Sequence, residues 1–377
     1  MNKKVIGFLS IFSLLISLSI VPAHSATKAG AKCTKVGIRS VVGNKTFICI
    51  KSGKKLVWNK DRTSVAIPAQ VIPDSWPIDK SADKNIFLIA DKNIRKFQTS
   101  TKSPAKIIVN YGPTVEKNRA DEHLNSMFEA SKFWSIDWNF DKEITVAIGT
   151  SKDYTWMRGF WSTFGLLRPE FDSSEKTYTS QGEYCNQGGA IFGDSQPFFW
   201  GCLSTQGSLD RYGIAGKIFA SHEYTHLAQY GIMTNLGARN MPTLFMEGSA
   251  EFYGVTLASA PDKIDKDWQE FWTGGYFSES ARDYVRSASS DQIYELLIDS
   301  YNKGNKSQGH WYYTGAYVTL RMIAAQGHDG FVRFMNFVKE TGNASQSFEK
   351  VYGIKFEDFA KIIAPEISAL AKTIKSR

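Results

Sequence analysis

The chain has 377 residues, 42% of them hydrophobic and 14% aromatic, which excludes a disordered polypeptide and supplies apolar side chains for more than one packed unit. Its formal charge of +8 divides into +2 on the first 26 residues, +9 on residues 27–62 and −3 on residues 63–377. The basic character belongs to one short segment, and no nucleic-acid partner is expected.

Residues 1–25 carry lysines at positions 3 and 4, an apolar run from Val5 to Val21, and small residues Ala23 and Ser25 where a signal peptidase reads. We read a secretory signal cut after about Ser25. The competing reading is an uncleaved membrane anchor. Both put the working part outside the cytoplasm, secreted or held at the cell wall. The four cysteines, Cys33, Cys49, Cys185 and Cys202, are an even number in an oxidising compartment, and two disulfides are expected. Loop closure is cheapest between near neighbours, which favours Cys33 with Cys49 and Cys185 with Cys202.

Residues 26–62 alternate branched and polar side chains around the turn signals Gly43-Asn44 and Ser52-Gly53-Lys54. This predicts a small three-stranded β module stapled by its own disulfide. The segment resembles small two-cysteine, Gly-Lys-rich modules of secreted proteins. Its charge suits an anionic cell-wall polymer or membrane surface, and a solubilising spacer is the plainer alternative. Residues 63–80 hold Pro68, Pro73 and Pro77 and read as a linker or a strap laid over the next domain.

Residues 81–377 form the main domain. In its first part, 81–207, residues 105–112 and 143–149 read as strands and residues 115–135 as the helix between them, a mixed sheet with a crossover helix. The second part, 208–377, is a series of helices. Gly231, Gly327, Gly342 and Gly353 each stand where a helix is expected to end. A sheet followed by helices is an α+β fold, with a groove where the two parts meet.

The chemistry gathers in residues 218–231, IFASHEYTHLAQYG. His222 and His226 are four apart, so on a helix they stand one above the other and can direct both imidazoles at one zinc ion. Ile218, Phe219 and Leu227 mark an adjacent apolar face that would half-bury that helix. Glu223 lies beside the metal without being forced onto it, as a general base requires. Two histidines make a poor zinc site, and the third ligand is sought in residues 242–254, PTLFMEGSAEFYG. There Pro242 and Thr243 can start a helix that carries Glu247 to the metal. Glu251, one turn on, accepts the second ring N–H of His222 or His226. His123 and His328 are read as surface residues, and His310 as an ordinary residue of a helix start.

The phrase HEYTH, a twenty-residue gap and MEGSAEF resemble the gluzincin metallopeptidases, in particular the peptidase-MA-like branch related to the aminopeptidase-N type. The likeness continues through HWYYTGAY and SFEKVYGIKFEDF, over roughly residues 105–365. It implies a thermolysin-like catalytic domain, one Zn2+ per chain on His222, His226 and Glu247, and Glu223 as base. It further implies a tyrosine hydroxyl, Tyr312 or its neighbour Tyr313, that steadies the oxyanion; Tyr312 fits the Tyr-x-x-Gly phrase. It also implies a glycine-rich edge strand that pairs with the substrate backbone, here Gly188, Gly189 and Ala190, where close approach of a second main chain would account for the glycines. The Gly-x-Met-Glu-Asn phrase of the true aminopeptidases is absent, so the expected activity is an endopeptidase acting on peptide or protein as a monomer. Two other functions stay open: a secreted binding or adhesion protein that keeps the metal without turnover, and a zinc hydrolase acting on cell-wall cross-links.

Overall fold

A computed structural model describes residues 28–36, 39–42, 45–60, 86–97, 105–138, 143–164, 187–192, 197–203, 214–273, 279–303 and 310–372. The leader, the linker at 63–80 and Cys185 lie outside the described residues. The chain divides into two compact units, Met1–Pro68 and Ala69–Arg377. Among the described residues no helix is long and apolar enough to cross a membrane.

In the first unit, strands β1 (Arg39–Val42), β2 (Lys45–Ser52) and β3 (Lys55–Lys60) form an antiparallel meander. Phe47 and Cys49 are buried on β2, the period of two that lets a strand hide one face. Residues 30–33 run along β3, with Cys33 N–H donating to the Leu56 carbonyl and Trp58 N–H to the Ala31 carbonyl. The predicted disulfide joins Cys33 to Cys49, tying that segment across the sheet.

The second unit has the mixed α+β composition that the sequence predicts. Its four-stranded sheet has the order β4 (Lys106–Tyr111), β5 (Glu143–Thr150), β7 (Pro197–Leu203), β6 (Gln187–Phe192). Strands β4, β5 and β7 are parallel, and β6 is an antiparallel edge. Every residue of β7 is buried, as for a strand covered on both faces. Cys202 on this strand is disulfide-bonded.

Helix α1 (Ile86–Arg95) precedes the sheet. Helix α2 (Lys117–Trp134) crosses between β4 and β5, burying Ala120, Leu124, Met127, Ala130 and Phe133 at the three-to-four spacing of an amphipathic helix. Helix α3 (Tyr154–Thr163) follows β5 and buries Met157 and Trp161. After β7 come α4 (Ile214–Arg239), α5 (Thr243–Ala258), α6 (Ile264–Thr273), α7 (Glu279–Ser287) and α8 (Ser290–Lys303), then α9 (His310–Thr341), α10 (Ala344–Tyr352) and α11 (Phe356–Ala371). Phe219 of α4 meets Phe199 of β7, so α4 packs directly on the sheet. The expectation of a half-buried helix is corrected: every residue from Ile218 to Gln229 is buried.

Three of the four glycines expected to end helices adopt positive φ. Gly353 is the left-handed cap of α10, Gly342 follows α9, and Gly327 breaks α9 internally. Gly231 does not end its helix. A Cβ there would lie 2.2 Å from the indole nitrogen of Trp138, so this glycine makes room for a tryptophan. The break in α4 falls at Thr234 instead, at φ 63° and ψ 167°, a region almost closed to a β-branched residue.

Two histidines read as surface residues are inside. His123 is buried on α2. His328 is fully buried, with Nδ1 2.7 Å from the Tyr253 hydroxyl and Nε2 2.8 Å from Asp137 Oδ2. Those two partners satisfy both ring nitrogens, which is what allows an imidazole into an aromatic core.

Candidate metal centre

A buried helix that carries Ser221, His222, Glu223, Thr225, His226 and Gln229 has to satisfy each polar group. Ser221 Oγ donates to the Gly254 carbonyl and Thr225 Oγ1 to the Ser221 carbonyl, while the Trp134 indole N–H donates to Thr225 Oγ1. These bonds lock α4 against α5 and α2. His222, Glu223 and His226 face a cleft of about 560 Å³, whose described lining also includes Gly188, Gly189, Ala190, Tyr230, Arg239, Glu247 and Tyr312.

His222 Nε2 and His226 Nε2 lie 3.1 Å apart, and Glu247 Oε2 lies 3.5 Å from the first and 3.3 Å from the second. Zinc bonded to nitrogen and oxygen at about 2.0–2.1 Å in a tetrahedron sets its ligands about 3.3 Å apart. The three edges of this triangle bracket that value. The group His222, His226 and Glu247 can therefore hold a metal ion.

The far sides of the imidazoles fix which nitrogen offers its lone pair. His226 Nδ1 sits 2.8 Å from Gln229 Oε1. The Gln229 amide is itself oriented, donating through Nε2 to the Met246 carbonyl and to Ser249 Oγ. It can therefore only accept from His226, and the ring carries its proton on Nδ1. His222 Nδ1 faces Glu251 Oε1 at 3.4 Å, an ion-pair contact longer than a well-formed hydrogen bond. Glu251 is completely buried, and neither of its carboxylate oxygens has a hydrogen-bond partner among the described residues. Such an acid needs a cationic or strongly polarised neighbour, and a metal-bound imidazole is one.

Burial opposes charge on His222, yet the carboxylates of Glu251, Glu247 and Glu223 outweigh it and hold the imidazole well above its ordinary pKa. His226 is raised in the same way, chiefly by Glu247 against burial. Burial pushes Glu247 up, but His226 and His222 overcome it and hold the carboxyl far below the usual range. The pocket is built to keep positive charge on its imidazole side, whether as protons or as a cation that displaces them.

Burial pushes the Glu223 carboxyl up, offset in part by His222 and His226, and the Ala190 backbone N–H donates to it. That bond ties the edge strand β6 to the acid. Glu247 is the one partly exposed residue between Leu244 and Leu257, so its carboxylate opens to the cleft. Tyr312 is half-buried on the cleft wall, its ring 6.2 Å from that of His222. Tyr313 points into the core against Phe271 and Trp272.

Gly188, Gly189 and Ala190 line the cleft on the edge strand. The need for Gly188 comes from inside the fold, because a Cβ there would lie 2.0 Å from the Phe219 ring and 2.2 Å from the Trp200 carbonyl. Sequence reasoning passed over Gln229, Tyr230 and Arg239. The signal for Gln229 was an uncharged polar residue three positions past His226, on the same side of the helix as that candidate ligand. Arg239 had none, since only the break at Thr234 brings it back to the cleft. No protein-family model, curated protein or solved structure matches the chain.

Proposed function

We propose that this protein is a secreted zinc-dependent endopeptidase with a gluzincin-like catalytic unit. The observation that carries the reading is the triangle of His222 Nε2, His226 Nε2 and Glu247 Oε2, with edges near those of a tetrahedral zinc site. It is supported by the placement of Glu223 and Tyr312 on the same cleft and by the leader-like N-terminus.

His222, His226 and Glu247 would hold the ion, and a zinc ion so held supplies Lewis acidity, acidifying water and polarising a scissile carbonyl. Glu223 takes the proton of the attacking water and passes it to the leaving amine. The Ala190 N–H, bonded to its carboxylate, keeps that acid turned toward the edge strand. Tyr312 donates its hydroxyl to the developing oxyanion, a contact that strengthens only in the transition state. Glu251 and Gln229 hold the two imidazoles in the tautomer that leaves Nε2 free to bind. Strand β6, the edge of the sheet among the described residues, offers its backbone to an extended substrate.

A peptide-library digest with and without a chelator tests this reading, with the Glu223→Gln protein as partner sample. Cleavage that needs zinc, and its loss in Glu223→Gln at full zinc content, is the expected result. Cleavage by Glu223→Gln, or cleavage indifferent to chelator, would overturn it.

A further inference from the structure

Arg239 is the single Lys or Arg among the described residues that line the cleft. A straight helix rises about 1.5 Å per residue, which would carry position 239 roughly 20 Å along the axis from His226. The break at Thr234 prevents that and folds the end of α4 back to the cleft wall. The turn that follows fixes the Arg239 backbone, with Asn240 N–H donating to the Gly237 carbonyl and Met241 N–H to the Ala238 carbonyl. Among the described residues nothing forms a hydrogen bond or an ion pair with its guanidinium. The cleft's two carboxylates are already engaged, Glu247 by the imidazoles and Glu223 by the imidazoles and the Ala190 N–H. Among the described residues Arg239 is thus the uncompensated charge of the cleft, on a fixed backbone, with a planar fork of donors that matches a carboxylate.

We propose that Arg239 determines specificity by recognising a carboxylate on the substrate, either an Asp or Glu side chain or the C-terminal carboxylate of the peptide. This rests on reading the cleft as a peptide-hydrolysing site. A guanidinium–carboxylate contact is worth about ten-fold or more in discrimination, because hydrogen bonds to charged groups are among the stronger ones.

The test uses the full chain loaded with zinc and four labelled peptides of otherwise identical sequence: a neutral C-terminal amide, an amide with one internal Glu, a neutral free acid, and a free acid with the Glu. Expected is a kcat/KM about ten-fold or more higher for carboxylate-bearing peptides. The ratio should fall toward one in Arg239→Met, recover in part in Arg239→Lys, and turn in favour of a Lys-bearing peptide in Arg239→Glu. Comparing the internal Glu with the free terminus identifies the source. In parallel, anisotropy of the same peptides with the Glu223→Gln chain reads binding without turnover. Equal rates and affinities for all four peptides, or a carboxylate preference that survives Arg239→Met, would overturn the proposal. If nothing is cleaved while carboxylate-dependent binding still requires Arg239, the peptidase reading fails and this inference stands; if no peptide binds, the inference fails too.

Discussion

Gly248 and Gly315 bring the backbones of α5 and α9 into direct contact. A Cβ on Gly248 would lie 2.2 Å from the Gly315 carbonyl carbon, and one on Gly315 would lie 2.3 Å from the Leu244 carbonyl oxygen. This crossing sets Glu247, the residue before one glycine, and Tyr312, three before the other, on the walls of one cleft. Gly248→Ala adds a methyl against backbone, which cannot swing aside as a side chain can, and overpacking of this kind costs about 1–3 kcal/mol. The expected outcome is a thermal midpoint lowered by several degrees together with weaker zinc binding in a metal titration. Unchanged stability would mean that the helices do not cross so closely.

Gln229 is expected to act on the metal through His226. Gln229→Leu removes the acceptor from Nδ1 and frees the ring to turn or change tautomer, and losses of this kind lower metal affinity about 10–100-fold. Competition against a chromophoric chelator measures it. Glu251→Gln should weaken binding through His222 in the same way, and the pair can be compared in one titration. Wild-type affinity in both variants would remove these two residues from the metal site.

Much of this was legible in the sequence because it is local. Residues 105–112 and 143–149 read as strands and 115–135 as the helix between them, and the i, i+4 pairs His222/His226 and Glu247/Glu251 placed the candidate ligands on two helices. What escaped depends on chain segments that meet only in the folded state. His328 looks like a polar turn residue, yet its partners Tyr253 and Asp137 are 75 and 191 residues away. Gly231 looks like a helix stop because nothing nearby announces Trp138 on its other side. The polar residues Ser221, Thr225, His226 and Gln229 suggested a face toward water, whereas they are paired with α2, with α5 and with one another.

Gly231→Ala is expected to reverse the usual sign. In a helix interior, glycine to alanine stabilises by roughly 0.5–1 kcal/mol. Here the new methyl would stand 2.2 Å from Trp138 Nε1 and 2.4 Å from its Cε2, so a loss of about 1–3 kcal/mol is expected in chemical unfolding. In a double-mutant cycle with Trp138→Leu, the alanine should cost less than it does alone, since the ring it strikes is gone. Additive effects would show that the tryptophan is not the cause.

His328 joins α9 at its Gly327 break to Tyr253 of α5 and to Asp137 just beyond α2, amid the rings of Phe97, Phe133 and Trp134. His328→Leu keeps the volume roughly constant but takes a hydrogen-bond partner from both the Asp137 carboxylate and the buried Tyr253 phenol, and leaving a buried polar group unsatisfied costs about 1–3 kcal/mol, more for a charged one. Tyr253→Phe removes only a hydroxyl and should cost about 1 kcal/mol. The ordering is the test: urea unfolding of His328→Leu, Tyr253→Phe and the double variant should show the tyrosine contributing little once the histidine is gone. Equal losses of stability in the two single variants would mean that the contact with Asp137 adds nothing to the hydrogen bond with Tyr253.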